Sequence, residues 1–202
     1  MSTTAPIVIA FDTSQAWCAA CLLVPGSAPV IRVDEMARGQ AEHLMVMLDE
    51  VLAEAGLQWA DIGVLGVGTG PGNFTGIRIS VAAARGLAMA LDIPAIGVSS
   101  FEVAEGILPY PYWVSVDAPR EQKYLQRFDK TSGEPFLAPA EALADLDASV
   151  INASGLSAQK RIENIARIAL KRKDQAPQRP APLYVRAPDA APPRDTAPVI
   201  LP

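Results

Sequence analysis

Short apolar segments alternate with longer amphipathic segments through the first half of the chain. The short ones are rich in β-branched residues and end at polar turns such as Asp12-Thr13-Ser14, a pattern typical of strands. They predict strands at 7–11, 17–24, 30–36, 62–67 and 94–98. In the amphipathic segments apolar residues recur three or four positions apart, which predicts helices at about 40–55 and 76–91.

The order of these elements is the RNase H-like pattern of an α/β fold, in which a hairpin meander is joined to parallel strands through crossover helices. A weak internal repeat favours two such lobes. The segments 8–22 and 113–128 each contain an apolar run, an aspartate (Asp12 or Asp117), a polar turn and a second strand. Coincidence between two short motifs is the alternative.

We predict a first lobe at 1–105 and a thinner second lobe at 106–202. After its hairpin, the second lobe is predicted to have a short helix at 139–147, a strand near 149–154 and a helix at about 157–173. Its last 26 residues hold eight of the 18 prolines, which predicts an extended tail because proline cannot donate to a β-ladder. The tail either wraps over the first lobe, as its apolar residues favour, or is disordered.

A glycine-rich loop, GTGPGNFTG at 68–76, lies between a predicted strand and a predicted helix. Such a loop lets backbone N–H groups approach an anion of phosphate size beside a helix N-terminus. It matches neither a Walker A loop, which needs Lys where Ile77 follows Gly76, nor the G-x-G-x-x-G dinucleotide fingerprint. The alternative is a tight turn whose glycines only allow close packing.

The same loop carries a family resemblance. Residues 68–80, GTGPGNFTGIRIS, closely resemble the G-x-GPGSFTG-[LV]-RIG signature of the TsaB family, with Asn73 at the usual serine. Four further segments are similar to segments of that family: 7–14, 86–102, 116–128 (where Pro119 displaces the usual arginine by one position) and 182–188. The resemblance implies the actin and Hsp70-like ATPase (ASKHA) fold, which has two RNase H-like lobes with mixed sheets, and here the second lobe is shortened.

The resemblance also implies a function. Members of the family are non-catalytic partners of TsaD, the subunit that transfers a threonylcarbamoyl group to the tRNA adenosine next to the anticodon. The chain is therefore expected to be a scaffold or dimerisation subunit, and not an enzyme by itself. Its expected protein partners are a TsaD-type subunit, a TsaE-type ATPase and, for the isolated chain, a second copy. Binding to tRNA is expected only indirectly, within the complex.

In the family, the two first-lobe helices pair with the equivalent helices of the partner. The helix at 76–91 is apolar nearly all round, so it needs cover on two sides, and small residues and methionines suit such a contact. An ordinary core is the alternative. The expected interface residues are His43, Leu44, Met47, Leu48, Val51, Ile79, Ala82, Ala83, Gly86, Leu87 and Ala90.

The resemblance places a nucleotide site of this fold between the lobes, where acidic residues hold Mg²⁺. The remnants of such loops are Asp12, Thr13, Ser14, Gly70, Pro71, Gly72, Asn73, Phe74, Thr75, Gly76 and Asp117. The second lobe has no obvious glycine-rich adenosine loop, and 153–155 is a poor substitute. We therefore expect no cofactor, with at most weak binding of ATP or ADP. A free-standing ATP-binding phosphotransferase or ATPase is the alternative function.

Few residues are suited to catalysis. The single histidine, His43, lies in a strong helix and cannot form a two-histidine metal site, which makes a protease-like hydrolase a poor third hypothesis. Cys18 and Cys21 form a CxxC motif, but they lie in a predicted strand, where positions three apart face opposite sides. We expect buried structural cysteines, no catalytic residue and no metal.

Charge and hydropathy bear on location and partners. The formal net charge is −5 and the pI is about 4.9, which argues against a broad tRNA-binding surface on the chain alone. Residues 160–202 are nevertheless basic, with 9 basic and 4 acidic side chains. No uninterrupted run of 18 apolar residues and no signal-peptide pattern is present, so we expect a cytoplasmic protein without a membrane contact.

Overall fold

Two mixed β-sheets form the framework of the chain, in a computed structural model that describes residues 5–130, 132–175 and 179–185. The five-stranded sheet has the order β3-β2-β1-β4-β5 and contains β1 (Ile7–Asp12), β2 (Trp17–Leu23), β3 (Val30–Glu35), β4 (Ile62–Gly68) and β5 (Ala95–Val98). Strands β1, β2 and β3 pair antiparallel, whereas β4 pairs parallel with both β1 and β5. All five predicted strands are confirmed.

The second sheet has four strands in the order β8-β7-β6-β9. They are β6 (Tyr112–Ala118), β7 (Gln122–Phe128), β8 (Phe136–Pro139) and β9 (Val150–Asn152). An antiparallel meander is again joined to a parallel strand, here β9 beside β6, so the second sheet repeats the plan of the first in shorter form. This topology confirms the predicted α/β fold of ASKHA type with a shortened second lobe.

In the described part of the chain three α-helices accompany the sheets: α1 (Gln40–Glu54), α2 (Phe74–Leu91) and α3 (Ala158–Arg172). Short 3-10 helices lie at Trp59–Asp61, Glu102–Ala104, Ala140–Asp145 and Ala153–Gly155. By length and composition, α2 is the one helix among the described residues that could cross a membrane, with a mean hydropathy of 1.3. It is also a crossover helix that packs on β4 and beside α1, which accounts for the apolar residues on its buried side.

The first sheet is covered on both faces. On one face α1 and α2 enclose a core that includes Ile9, Leu48 and Val67. On the other face, side chains of the first sheet pack with those of α3 and the second sheet to form a second core. Cys18 lies in the first core and Cys21 in the second, so the prediction that the CxxC cysteines face opposite sides of the strand is confirmed.

Helix α3 packs on the first sheet, although its sequence position places it in the predicted second lobe. The predicted second lobe at 106–202 contains α3, yet α3 packs on β4, β1 and β2 of the first sheet. Its buried residues Ile162, Ile165 and Ala169 belong to the core that the two sheets share. The division at 105/106 thus separates the sheets but not their packing.

The C-terminal segment 179–185 crosses the first lobe beside α2. The Leu183 N–H donates to the Thr69 carbonyl at 2.8 Å, and Arg85 Nε donates to the Pro180 carbonyl at 2.7 Å. Arg78 Nε donates to the Tyr184 hydroxyl at 2.9 Å. These contacts confirm wrapping for this part of the tail, while the prediction for 186–202 lies outside the described residues.

Candidate functional site

The Asp12-Thr13-Ser14 turn and the glycine-rich loop are in direct contact. The turn is buried at the end of β1, where the parallel pairing of β1 with β4 brings it beside the loop that follows β4. Thr13 Oγ1 donates to the Gly76 carbonyl at 2.6 Å, and the Asn73 N–H donates to the Ser14 carbonyl at 2.7 Å. The structure thus brings together the two segments that the sequence predicts as remnants of phosphate loops.

The glycines of the loop are required by this contact. A Cβ atom at Gly76 would lie 1.8 Å from the Thr13 carbonyl oxygen, and one at Gly72 would lie 2.3 Å from the Ser14 carbonyl oxygen. Gly70 has a φ of +85°, in the left-handed region that favours glycine. The geometry therefore accounts for these glycines by close packing, the alternative that the sequence left open.

The start of α2 is capped by the loop itself. Asn73 Oδ1 accepts a hydrogen bond from the Gly76 N–H at 2.8 Å, so Asn73 is the N-cap residue. Phe74 and Thr75 follow it in the exposed first turn. One of the N–H groups that a helix N-terminus offers to an anion is therefore already bonded within the chain.

The two predicted carboxylates have different surroundings. Asp12 is buried and accepts hydrogen bonds from the Ser14 N–H at 2.9 Å and the Ser14 hydroxyl at 3.0 Å. Asp117 is exposed and forms an ion pair with Lys123. Each carboxylate thus has a bonding partner from the chain itself.

A buried arginine that the sequence reasoning missed lies near Asp12. Arg161 on α3 is 2% exposed, and its guanidinium donates to the Ala153 carbonyl at 3.0 Å and to Ser100 Oγ at 3.1 Å. Burial lowers the pKa of Arg161, and the Asp12 carboxylate opposes that shift. One signal was present: Arg161 has helical spacing with the apolar Ile165, so it lies on the buried face of α3.

Four of the predicted interface residues are core residues. Leu44, Met47, Leu48 and Val51 are fully buried between α1 and the first sheet, so their assignment to a partner interface is wrong. The apolar stripe of an amphipathic helix faces its own sheet first, and the sequence pattern could only identify that stripe. His43 lies at the edge of α1 beside β3, 2.6 Å from Asp34.

The other predicted interface residues lie on α2 and remain accessible. Ala82, Gly86 and Ala90 are exposed, and Ile79, Ala83 and Leu87 are partly buried. Other exposed apolar residues of α1 and α2 are Met89 (84% exposed), Met45 and Val46 (52% exposed). We call this surface, on the solvent side of α1 and α2, the open helix face; it consists of Met45, Val46, Ala82, Gly86, Met89 and Ala90.

The cysteines are poorly suited to nucleophilic chemistry. Burial raises the pKa of Cys18 and of Cys21 to about 12 each, so their reactive thiolate forms are scarce at neutral pH. Within the described ranges, no group of three or more His, Cys, Asp or Glu side chains is placed to hold a metal ion.

A crevice of about 950 Å³ borders the start of the glycine-rich loop at Thr69, but residues 70–76 and the Asp12-Thr13-Ser14 turn do not line it. The segment 179–183 lines one side of it, and Gln126 and Phe128 of the second sheet line another. The charged Arg172 within it is bonded to Glu102 at 2.6 Å and to Glu105 at 3.2 Å. Neither Asp12 nor Asp117 contributes to this crevice, so its position does not coincide with the expected nucleotide site.

Comparisons with known proteins agree on one family. A family model described as TsaD, tRNA N6-adenosine threonylcarbamoyltransferase, matches residues 34–173. The chain is 37% identical over 94 residues to the tRNA threonylcarbamoyladenosine biosynthesis protein TsaB of Haemophilus influenzae, a match that covers 46% of this chain and only 39% of that protein. It is 34% identical over 178 residues to an uncharacterised protein of Mycobacterium tuberculosis, covering 80% of this chain and 82% of that one.

The fold has a solved counterpart. A crystal structure of a Pseudomonas aeruginosa protein, described as similar to the peptidase YEAZ, superposes with a TM-score of 0.71. The sequence identity is 21%, and the superposition covers 90% of this chain and all of that one. At this identity the likeness concerns the fold.

Proposed function

The chain belongs to the tRNA N6-adenosine threonylcarbamoyltransferase (TsaD) family, within which it is a TsaB-type protein, and from that premise we propose that it serves the formation of threonylcarbamoyladenosine in tRNA. Its proposed role is that of a non-catalytic scaffold that binds a TsaD-type catalytic subunit. The observation that carries this proposal is the open helix face.

That face has the properties of a protein interface. Met89 on α2 is 84% exposed, and Val46 on α1 is 52% exposed. Exposed apolar surface of this kind is typical of interaction sites, and methionine side chains adapt well to a partner. Among the described residues, no atom beyond Gly86's chain neighbours and the adjacent backbone of α2 lies within 4 Å of where a Cβ of Gly86 would be, so another helix can approach the backbone closely there. Both helices rest on a fully buried core, which holds the face rigid.

The absence of a catalytic role and of a bound nucleotide is part of the proposal. The turn that would bind phosphate uses its Thr13 hydroxyl and its Ser14 carbonyl to hold the glycine-rich loop. Lys123 pairs with Asp117, and the Ser14 N–H and hydroxyl donate to the Asp12 carboxylate. Groups of the chain itself therefore already bond the carboxylates on which a Mg²⁺–nucleotide complex would depend.

The remaining partners follow from the same role. We propose that a TsaE-type ATPase joins the complex, that the isolated chain forms a homodimer through the open helix face, and that the protein acts in the cytoplasm. The net charge of −5 supports tRNA contact only as part of the complex.

The test is co-expression with the TsaD-type protein of the same organism, followed by size-exclusion chromatography with light scattering. We expect a one-to-one complex for the wild-type chain and its loss for Gly86→Arg, which places a long cation on the open helix face. Gln159→Arg adds the same charge at an exposed position of α3 and should leave the complex intact. Separate peaks for the wild-type proteins, or a complex that survives Gly86→Arg unchanged, would contradict the proposal.

A further inference from the structure

Burying an arginine costs free energy because its charge is removed from water. In Arg161 this cost is accompanied by hydrogen bonds of defined direction. Its side chain lies in the core that the two sheets share, where an apolar residue of similar length would fill the space without the cost of desolvating a charge. Its two terminal nitrogens point to different parts of the chain, Nη1 to the Ala153 carbonyl and Nη2 to Ser100 Oγ. Arg161 therefore joins α3 to the segment that follows β5.

Ser100 carries this link to the glycine-rich loop. Its hydroxyl donates to the Pro71 carbonyl at 2.8 Å, and its N–H donates to the Gly70 carbonyl at 2.7 Å. A hydroxyl has one proton, and a guanidinium can only donate. Because Arg161 donates to Ser100 Oγ, the hydroxyl proton is directed at Pro71, and the two bonds polarise each other in the same direction.

The loop is thus held from two sides. The Asp12-Thr13-Ser14 turn binds Asn73 and Gly76, and Ser100 binds Gly70 and Pro71. Asn73 caps α2, so the position of the loop sets where α2 begins. Helix α2 supplies four of the six residues of the open helix face.

We propose that Arg161, acting through Ser100, is a positioning residue that fixes the glycine-rich loop and thereby the open helix face for partner binding. The part that concerns partner binding rests on the proposed function, whereas the part that concerns the position of the loop does not. The position of the loop can be measured in the free chain, without any partner.

The first measurement is hydrogen exchange of the Asn73, Gly76 and Ile77 amides in the free, full-length chain, with slowly exchanging β1 amides as the reference for global unfolding. Arg161→Met keeps an unbranched apolar stem and removes both hydrogen bonds, and Ser100→Ala removes the hydroxyl alone. We expect each variant to speed exchange at these three amides about tenfold relative to β1. The double variant should be no faster than the single ones, because both interrupt the same path.

Asn164→Ala is the matched control on α3. Asn164 Nδ2 donates to the Val103 carbonyl at 2.6 Å, a bond from the same helix that does not lead to the loop. We expect unchanged exchange at the three loop amides in this variant. Equal acceleration in Asn164→Ala and Arg161→Met, or additive effects of Arg161→Met and Ser100→Ala, would show that Arg161 only stabilises the core and would overturn the proposal. If Arg161→Met fails to fold, Ser100→Ala, which interrupts the same path at its second residue, is compared with Asn164→Ala instead.

The second measurement is the Kd for the TsaD-type subunit. We expect Arg161→Met and Ser100→Ala to weaken binding about tenfold although neither residue lies on the open helix face, and Asn164→Ala to leave it within about twofold. Faster exchange of the loop amides with an unchanged Kd would overturn the claim that the position of the loop affects binding of the TsaD-type subunit. A wild-type chain that does not bind would instead refute the proposed function, and the exchange data would then judge the role of Arg161 alone.

Discussion

Replacing Gly76 by alanine tests whether the glycine-rich loop is built for close packing. The added Cβ would lie 1.8 Å from the Thr13 carbonyl oxygen and 2.9 Å from the Thr13 carbonyl carbon. Both are backbone atoms, so the overlap cannot be relieved by rotating a side chain. Relief of the overlap needs a relative shift of about 1 Å or more between the turn and the start of α2.

Such a shift breaks two buried contacts. The bond from Thr13 Oγ1 to the Gly76 carbonyl is 2.6 Å long, and that from the Asn73 N–H to the Ser14 carbonyl is 2.7 Å long. Each lost bond costs about 1 kcal/mol, and buried groups left unpaired add about 1–3 kcal/mol. Against this, alanine gains at most about 1 kcal/mol of helix propensity over glycine. We expect a net loss of about 2–4 kcal/mol in the free energy of unfolding.

Gly86→Ala is the matched control in the same helix. Apart from its chain neighbours and the adjacent backbone of α2, a Cβ there has no atom of the described residues within 4 Å, so only the gain in helix propensity remains, up to about 1 kcal/mol. Urea denaturation followed by circular dichroism measures both variants. The two substitutions should change stability with opposite signs. A Gly76→Ala variant as stable as the wild type would refute the packing account of the loop and favour an open, ligand-binding loop.

Three further predictions concern single groups. Burial raises the pKa of Cys18 and Cys21 from 9.0 to about 12, so between about pH 9 and 12 these thiols lose their protons in the unfolded state but keep them in the folded state. The free energy of unfolding should therefore fall as pH rises through this range. Denaturation at a series of fixed pH values should show a flatter pH dependence for a Cys18→Ala/Cys21→Ala variant. Asn73→Ala should lose about 1 kcal/mol by removing the cap of α2, whereas Asn73→Ser should stay within a few tenths in the same assay. Asp12→Asn should lower stability by leaving the Arg161 charge uncompensated, yet leave tRNA modification by a reconstituted complex near the wild-type rate; a collapse of that rate in a folded variant would favour the nucleotide-binding alternative.

Local patterns predicted much of the fold. The β-branched segments placed the five strands of the first sheet, and the spacing of Cys18 and Cys21 on β2 predicted that they face opposite cores. These features depend on the period of a strand, which can be read from neighbouring residues. The resemblance of 68–80 then supplied the family, which no local period could give.

Features that depend on distant contacts were missed. Hydrophobic spacing on α1 identified its most apolar side, but could not tell a face that meets its own sheet from one that meets a partner, and the assignment of Leu48 and Val51 failed for that reason. Likewise, nothing near Arg161 in sequence points to Ser100, 61 positions away, or to the loop beyond it. The role of the glycines was undecided until the position of the Asp12-Thr13-Ser14 turn was known.

The placement of α3 has a consequence for the order in which the chain can fold during synthesis. The last strand of the first sheet ends at Val98, but the helix that covers one face of that sheet begins at Ala158. At about 5–20 residues per second, a ribosome needs several seconds to make the intervening segment. For that time the nascent first sheet exposes apolar side chains such as Val8 and Val64, which α3 and the second sheet later bury. A chaperone that holds this face on the ribosome would protect the sheet until its cover arrives.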